Sequence, residues 1–203
     1  MTYSSTKTTF LLVLLGILPS LILAQKPTVI ANQQGHIKRI ISMDLSPDHS
    51  LLASVGMDQQ IILWNYQTTQ LLRRIQHPVD LKEVWFRDKQ TLAALDQKGQ
   101  VHFWNVSSGQ SIKTIGTPTE EMLDYALSQE GQLLALRKKN GKLATWNLET
   151  GNKVWEVDGP AAAGILHFDK PNQSIFVRNK LGEVLANFKV TDGSMGNGNN
   201  FFN

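Results

Sequence analysis

A Trp-Asn pair recurs three times in this chain at nearly constant spacing. The pairs are Trp64-Asn65, Trp104-Asn105 and Trp146-Asn147. Successive pairs are separated by 40 and 42 residues, and a glycine follows the second and third Trp at the same offset, as Gly109 and Gly151. A period of this length, marked by the same dipeptide, indicates one supersecondary unit repeated along the chain.

Each repeated unit contains four short strand patterns separated by polar turns. The predicted strands of the first unit are Ile40–Leu45, Leu51–Val55, Ile61–Tyr66 and Leu71–Ile75. Those of the second are Glu83–Phe86, Thr91–Leu95, Val101–Val106 and Ser111–Ile115, and those of the third are Met122–Leu127, Leu133–Arg137, Lys142–Leu148 and Lys153–Val157. Four short strands in each period of about 40 residues predict an all-β fold, a β-propeller of four-stranded antiparallel blades.

The fourth unit departs from this pattern. It supplies three predicted strands, Ile165–Phe168, Ser174–Arg178 and Glu183–Val190, and counting one period from Trp146 places Asn187 where a Trp is expected. Residues 191–203 are rich in Gly and Asn, which predicts a disordered tail. Residues 25–190 therefore hold about four blades, as a partial array or a small ring. A predicted strand at Thr28–Ala31 is a candidate for the missing outer strand of the fourth blade.

The first unit resembles the WD40-repeat family, and the resemblance extends with weaker motifs from about Thr28 to Val190. In that family four side chains form a hydrogen-bonded network inside a blade, and the matching positions here are His36, Ser54, Asp58 and Trp64. The resemblance implies a structural role for these four residues. The chemistry agrees with it, because a buried Trp N–H and a buried His ring both need hydrogen-bond partners.

The second and third units lack this network at the expected positions. The serine and aspartate positions fall on Ala94 and Lys98 in the second unit, and on Leu136 and Asn140 in the third. We therefore expect these blades to depend on packing. Asp96, near the same turn of the second unit, is expected to tolerate substitution with little effect.

The N-terminal 24 residues have the pattern of a targeting segment. An uncharged run of 15 residues, Phe10–Ala24, follows Lys7 and contains Pro19. This run is shorter than the roughly 20 apolar residues of a spanning helix, and a small residue, Ala24, ends it. The pattern predicts a secretory signal peptide in residues 1–24, with an uncleaved membrane anchor as the alternative. The protein is then secreted or periplasmic, or anchored with the propeller outside the cytoplasm.

The sequence contains no motif for catalysis or for metal binding. It has no cysteine, which excludes disulfides and thiolate chemistry, and its five histidines are scattered without the spacing of a zinc site. The formal net charge of +3 is too small an excess to predict a nucleic-acid partner. We therefore expect no catalytic residue, no cofactor and no metal.

These observations favour a non-catalytic protein–protein interaction scaffold, secreted or envelope-anchored, that touches a membrane only through an uncleaved N-terminal segment. A homodimer that completes one ring is one possible partner arrangement. One alternative is a quinoprotein-like propeller in envelope assembly or redox enzymology, because Thr150–Trp155 resembles the Thr-Gly-x-x-x-Trp ending of quinoprotein-type blades. Another is the regulatory WD40 part of a larger protein. Trp155 itself is expected to serve packing between blades, or alternatively to anchor a partner.

Overall fold

The structure is a computed structural model, and it describes residues 35–116, 122–160, 164–169 and 174–196. These residues form fifteen β-strands in four antiparallel sheets. Within the described ranges, no helix has the length and apolar character needed to cross a membrane. The predicted signal segment, residues 1–24, and the predicted strand Thr28–Ala31 lie outside the described residues.

Each sheet is one blade, with its strands in sequence order. Blade 1 contains β1 (Ile40–Leu45), β2 (Leu51–Gly56), β3 (Gln60–Asn65) and β4 (Leu71–Gln76). Blade 2 contains β5 (Leu81–Phe86), β6 (Thr91–Asp96), β7 (Val101–Asn105) and β8 (Ser111–Ile115). Blade 3 contains β9 (Met122–Leu127), β10 (Leu133–Lys138), β11 (Lys142–Asn147) and β12 (Lys153–Asp158). Blade 4 contains β13 (Ile165–Phe168), β14 (Ser174–Arg178) and β15 (Val184–Lys189). The prediction of four-stranded antiparallel blades, about four in number, is confirmed.

The hairpin between the second and third strands uses left-handed backbone in every blade. Gly99, Gly141 and Gly182 occupy this place with φ of 79°, 81° and 87°. Gln59 occupies it in blade 1, with φ of 61°. Tight hairpins need positive φ because it matches the twist of the flanking strands, and glycine adopts it without steric cost. These turn residues thus favour a tight hairpin at the same place in every blade.

Three apolar clusters join successive blades. The first packs Val55 and Leu63 of blade 1 against Phe86 and Leu92 of blade 2. The second packs blade 2 against blade 3, and the third packs blade 3 against blade 4. Paired residues of adjacent strands lie on the same face of a sheet, and successive residues of one strand lie on opposite faces. Alternate residues of each strand therefore pack against the blades on either side. The core of this protein therefore lies between its sheets.

The repeated Trp position of blade 4 is occupied by Phe188, so the prediction of Asn187 is wrong by one residue. Phe188 pairs with Ile175, as Trp146 pairs with Leu134 in blade 3. The interval from Trp146 to Phe188 is 42 residues, the same as the preceding one. Since neighbouring strand residues point to opposite faces, Phe188 faces blade 3 and Asn187 faces away from it.

Residues 191–196 continue the repeat and are not part of a disordered tail. The backbone N–H of Lys189 donates to the carbonyl of Ser194 at 2.9 Å, and Phe188 forms an antiparallel bridge with Met195. The same bond joins Asn105 to Gln110 where blade 2 begins its fourth strand. The chain's own continuation therefore begins the outer strand of blade 4. Residues 197–203 lie outside the described residues.

Candidate functional site

The structure brings together all four predicted network residues of blade 1. Trp64 Nε1 donates to Ser54 Oγ at 3.1 Å, and Ser54 Oγ lies 2.9 Å from His36 Nε2. His36 Nδ1 lies 2.8 Å from Asp58 Oδ1. A neutral His36 with its proton on Nδ1 satisfies every partner, since it accepts at Nε2 from Ser54 and donates to Asp58. The side chains of His36 and Asp58 are only 1% and 2% exposed.

Asp58 also holds the backbone at both ends of this network. Its carboxylate accepts from the N–H of Ile37 at 3.0 Å and from the N–H of Gln60 at 3.3 Å. Burial opposes ionisation of Asp58, but the hydrogen bonds from His36, Ile37 and Gln60 outweigh it and lower the pKa of the carboxyl. Asp58 is therefore a charged structural residue, with its acceptor capacity used inside the blade.

Blade 2 contains a different polar cluster, built on Asp96. This side chain is 1% exposed, and its Oδ2 lies 3.0 Å from His102 Nε2. Its Oδ1 accepts from the N–H groups of Lys98 and Gln100. The His102 ring is 4.4 Å from the ring of His77 and 5.8 Å from that of Trp104. The expectation that blade 2 depends on packing alone is wrong, because Asp96 replaces the missing aspartate two residues earlier in the chain.

Asp96→Ala is accordingly expected to lower the free energy of unfolding by about 1–2 kcal/mol, because the partly buried His102 and two backbone N–H groups lose their acceptor. The control is Asp88→Ala. Asp88 also accepts from two backbone N–H groups but is exposed, so its loss should cost less than about 1 kcal/mol. Urea unfolding of the three proteins measures the difference. Equal midpoints for the two variants would restore the expectation that Asp96 is nearly neutral.

The Asn that follows each repeated Trp begins the next turn. In Asn65, Asn105 and Asn147 the side-chain oxygen accepts from the backbone N–H three residues later, at 2.8–2.9 Å. Asn and Asp both stabilise turns through such local bonds. The Trp-Asn pair therefore joins a packing residue to a turn residue, and an uncharged amide is sufficient for the second role.

One hydrogen bond recurs at all three junctions, and we call it the inter-blade tie. A side chain on the fourth strand of one blade donates to a backbone carbonyl in the turn after the third strand of the next blade. The ties are Arg73 Nη2 to Ser107 O (2.6 Å), Lys113 Nζ to Glu149 O (3.1 Å) and Trp155 Nε1 to Val190 O (2.7 Å). The donors differ in chemistry but share one repeat position, so each blade is hydrogen-bonded to the next at the same place in the repeat.

A glycine in the accepting turn lets the donor approach closely. A Cβ added to Gly109 would lie 2.5 Å from Arg73 Cδ, and one added to Gly193 would lie 2.7 Å from Trp155 Cδ2. Both glycines have φ of 72°, which also disfavours any other residue. The Trp155 side chain is buried and packs in the cluster between blades 3 and 4, in agreement with its expected packing role.

Two clefts open between blades. One, of about 670 Å³, lies where Glu83 and the first strands of blades 3 and 4 meet, and its lining includes Asp124, Tyr125 and His167. Burial raises the pKa of Glu83 despite its hydrogen bond with Tyr125, and burial also raises the pKa of Tyr125. The other cleft, of about 540 Å³, lies between blades 1 and 2. Among the described residues, no group of three or more acidic or histidine side chains is arranged to hold a metal ion.

Comparison with known proteins finds a WD repeat-containing relative, although no protein-family model matches the chain. A WD repeat-containing protein of Schistosoma mansoni, SL1-17, is 32% identical over 164 residues, which cover 80% of this chain and 54% of that protein. A coronin-like protein of Saccharomyces cerevisiae is 27% identical over 152 residues, covering 64% of this chain and 23% of the relative.

Solved structures give the same fold. The β-propeller domain of Cps50 (Swd1) from Myceliophteria thermophila matches 77% of this chain and 54% of that chain, with a TM-score of 0.60 and 15% identity. The computationally designed Ika4 protein matches 77% of this chain and 94% of its own, with a TM-score of 0.59 and 21% identity. The chain is a WD40-repeat β-propeller.

The chain spans about half the length of SL1-17 and about a quarter of the coronin-like protein. Within the repeats of this chain, sequence reasoning found the network of blade 1 and missed Asp96, His102 and the inter-blade ties. The equal spacing of Gly109, Gly151 and Gly193, at 42 residues each, was the available signal for the third tie.

Proposed function

We propose that this WD40 protein is a non-catalytic scaffold that binds other proteins through the exposed edge of blade 1. The observation that carries the proposal is a run of exposed apolar side chains at the start of the blade. Ile37, Ile40, Ile41 and Met43 are 78%, 46%, 37% and 60% exposed. Clustered exposed apolar side chains are typical of interaction surfaces, whereas single ones are common on any protein.

The polar groups of the blades support a binding role over a catalytic one. His36, Asp58, Asp96 and His102 are occupied by structural hydrogen bonds. Trp155, which motivates the quinoprotein-like alternative, forms an inter-blade tie. The regulatory alternative, part of a larger protein, predicts the same binding surface.

The test compares Met43→Glu with a control at another exposed apolar residue, Leu181→Glu, which is 84% exposed in blade 4. The full chain and both variants are immobilised and exposed to an extract of the source cells. We expect at least one protein to be retained by the parent and by Leu181→Glu and to be lost with Met43→Glu, at unchanged melting temperatures. Retention of nothing by the parent, or equal retention by all three, would contradict the proposal.

A second copy of the chain is the alternative occupant of the same edge, in place of a partner of different sequence. β1 is the first described strand, and its side chains Ile40, Ile41 and Met43 are exposed in the single chain. In a homodimer that completes one ring, another blade would cover them. Under this alternative, light scattering gives twice the chain mass of 22.7 kDa for the parent and one chain mass for Met43→Glu. A monomer mass for the parent at every concentration would leave only partners of a different sequence.

The protein is further proposed to act outside the cytoplasm. The support is the uncharged run Phe10–Ala24 behind Lys7, which has the order and length of a secretory signal. Fractionation of cells expressing the full chain, beside a variant that lacks residues 1–24, tests this. Export of the full chain and cytoplasmic retention of the shortened one are expected. The same compartment for both would contradict it, and a full-length product in the membrane fraction would identify the anchored form.

A further inference from the structure

The cleft between blades 1 and 2 combines an apolar floor with a basic rim. Its volume is about 540 Å³, within the range typical of ligand sites. Leu51, Leu63 and Val106 provide apolar lining. Arg73 and Lys89 stand among the lining residues on its two sides, one from each blade.

One of the positions that differ between this junction and the next one carries a smaller side chain here. Leu63 pairs with Arg73 across β3 and β4, and Phe103 pairs with Lys113 at the same place in blade 2. Phe103 carries the larger side chain, and Lys113 Nζ lies over its ring, 5.0 Å from the centroid. At the first junction, Leu63 and Arg73 both line the cleft.

The rim of the cleft is positively charged. The guanidinium of Arg73 donates to the neutral carbonyl of Ser107, and no carboxylate among the described residues forms an ion pair with it. Lys89 Nζ lies 2.8 Å from Asp48 Oδ2, which neutralises it, so Arg73 carries the uncompensated positive charge of the rim. A ligand with a negative charge beside an apolar group therefore complements both parts of the cleft.

We propose that this cleft binds an acidic peptide segment of a protein partner. A large apolar side chain of the segment rests on Leu63 and Val106, and a neighbouring carboxylate pairs with Arg73. This inference rests on the proposed function, since it assigns a second contact to the same binding scaffold.

The test uses two defined peptides and the full chain. One is an acetylated, amidated hexapeptide of sequence Ser-Glu-Leu-Phe-Glu-Ser, and the other has lysine in place of each glutamate. Amide chemical shifts are followed on titration of the isotope-labelled protein. The acidic peptide is expected to shift the amides of Leu63, Val106 and Ser107 in a saturable manner, and the basic peptide is expected to leave them unchanged.

Two variants test the cleft itself. Leu63→Phe copies the residue of the next junction, fills part of the cleft and should abolish binding. Arg73→Gln removes the rim charge and should raise the Kd about fivefold, the size of an exposed ion pair. Lys113→Gln, at the same repeat position one junction later, should leave the Kd unchanged. Arg73→Gln remains informative if Leu63→Phe does not fold.

The outcomes separate this inference from the proposed function. Failure of the acidic peptide to bind, or equal binding of both peptides, overturns the cleft assignment. Peptide binding that is insensitive to Leu63→Phe in a folded variant does so as well. If Met43-dependent retention of a partner persists in any of these cases, the scaffold function stands without this cleft.

Discussion

Trp155→Ala is expected to lower the free energy of unfolding by about 3–5 kcal/mol, the usual cost of truncating a buried Trp. The side chain is 8% exposed, and its ring lies 6.3 Å from that of Phe188 in a stacked arrangement. Its Nε1 donates to Val190 O at 2.7 Å, so the change also breaks the tie between blades 3 and 4. Chemical unfolding at pH 7 measures the loss.

Two control variants divide this effect into its parts. Trp155→Phe keeps most of the packing and removes only the N–H donor, which should cost about 1 kcal/mol. Lys113→Ala removes a tie at the same repeat position, but from an exposed side chain, and should cost less than about 1 kcal/mol. If Trp155→Ala were no more damaging than Lys113→Ala, Trp155 would not be a packing residue, and its role as an exposed partner anchor would have to be reconsidered.

The sequence predicted the strands of this protein well because its strand signals are local. Fifteen of the sixteen predicted strands fall within the described residues, and all fifteen are present with each boundary within two residues of the prediction. The sixteenth, Thr28–Ala31, lies outside the described residues. Short apolar runs, the turn glycines and the Trp-Asn pair carry this information within a few residues of each strand. The same signals did not fix the registers, which depend on neighbouring strands.

The error at Asn187 is a shift of one residue in the expected position of the repeated Trp. The repeat interval varies between 40 and 42 residues, and a shift of one residue turns a strand position to the opposite face. Phe188 is aromatic and fills the Trp place, so blade 4 is less degenerate than its sequence indicates. The glycine at Gly193 would have given the correct register, but it lies in a stretch whose composition indicated disorder.

The polar groups of blade 2 were missed for a different reason. The family pattern specifies residue types at fixed positions, and blade 2 satisfies the same need with other residues. Asp96 lies within hydrogen-bonding distance of His102 because Ala94 pairs with His102 across β6 and β7. The composition of these strands does not reveal that register. Arg73, Lys113 and Trp155 share a geometric role with no common chemistry, so no motif search would group them.

Asp58→Ala is expected to cost about 1–3 kcal/mol at pH 7, because His36 loses its partner and two backbone N–H groups lose theirs. The control is Asp48→Ala in the exposed turn of the same blade, which should be less damaging than Asp58→Ala because its carboxylate is open to solvent. Thermal melts and urea unfolding compare the three proteins. Equal stability of Asp58→Ala and the parent would mean that the network of blade 1 contributes nothing to folding.

The same residue predicts a dependence on pH. The folded-state pKa of Asp58 is lowered, because hydrogen bonds to the carboxylate outweigh the opposing effect of burial. A carboxyl whose pKa is lower in the folded than in the unfolded state adds stability above the unfolded pKa of about 4, and this contribution is lost as the pH falls through the folded value. The stability gap between the parent and Asp58→Ala should therefore persist at neutral pH and narrow progressively below about pH 4. A gap that widened on acidification would show that the protonated carboxyl is the stabilising form, and the direction of the hydrogen bonds assigned to His36 would have to be reversed.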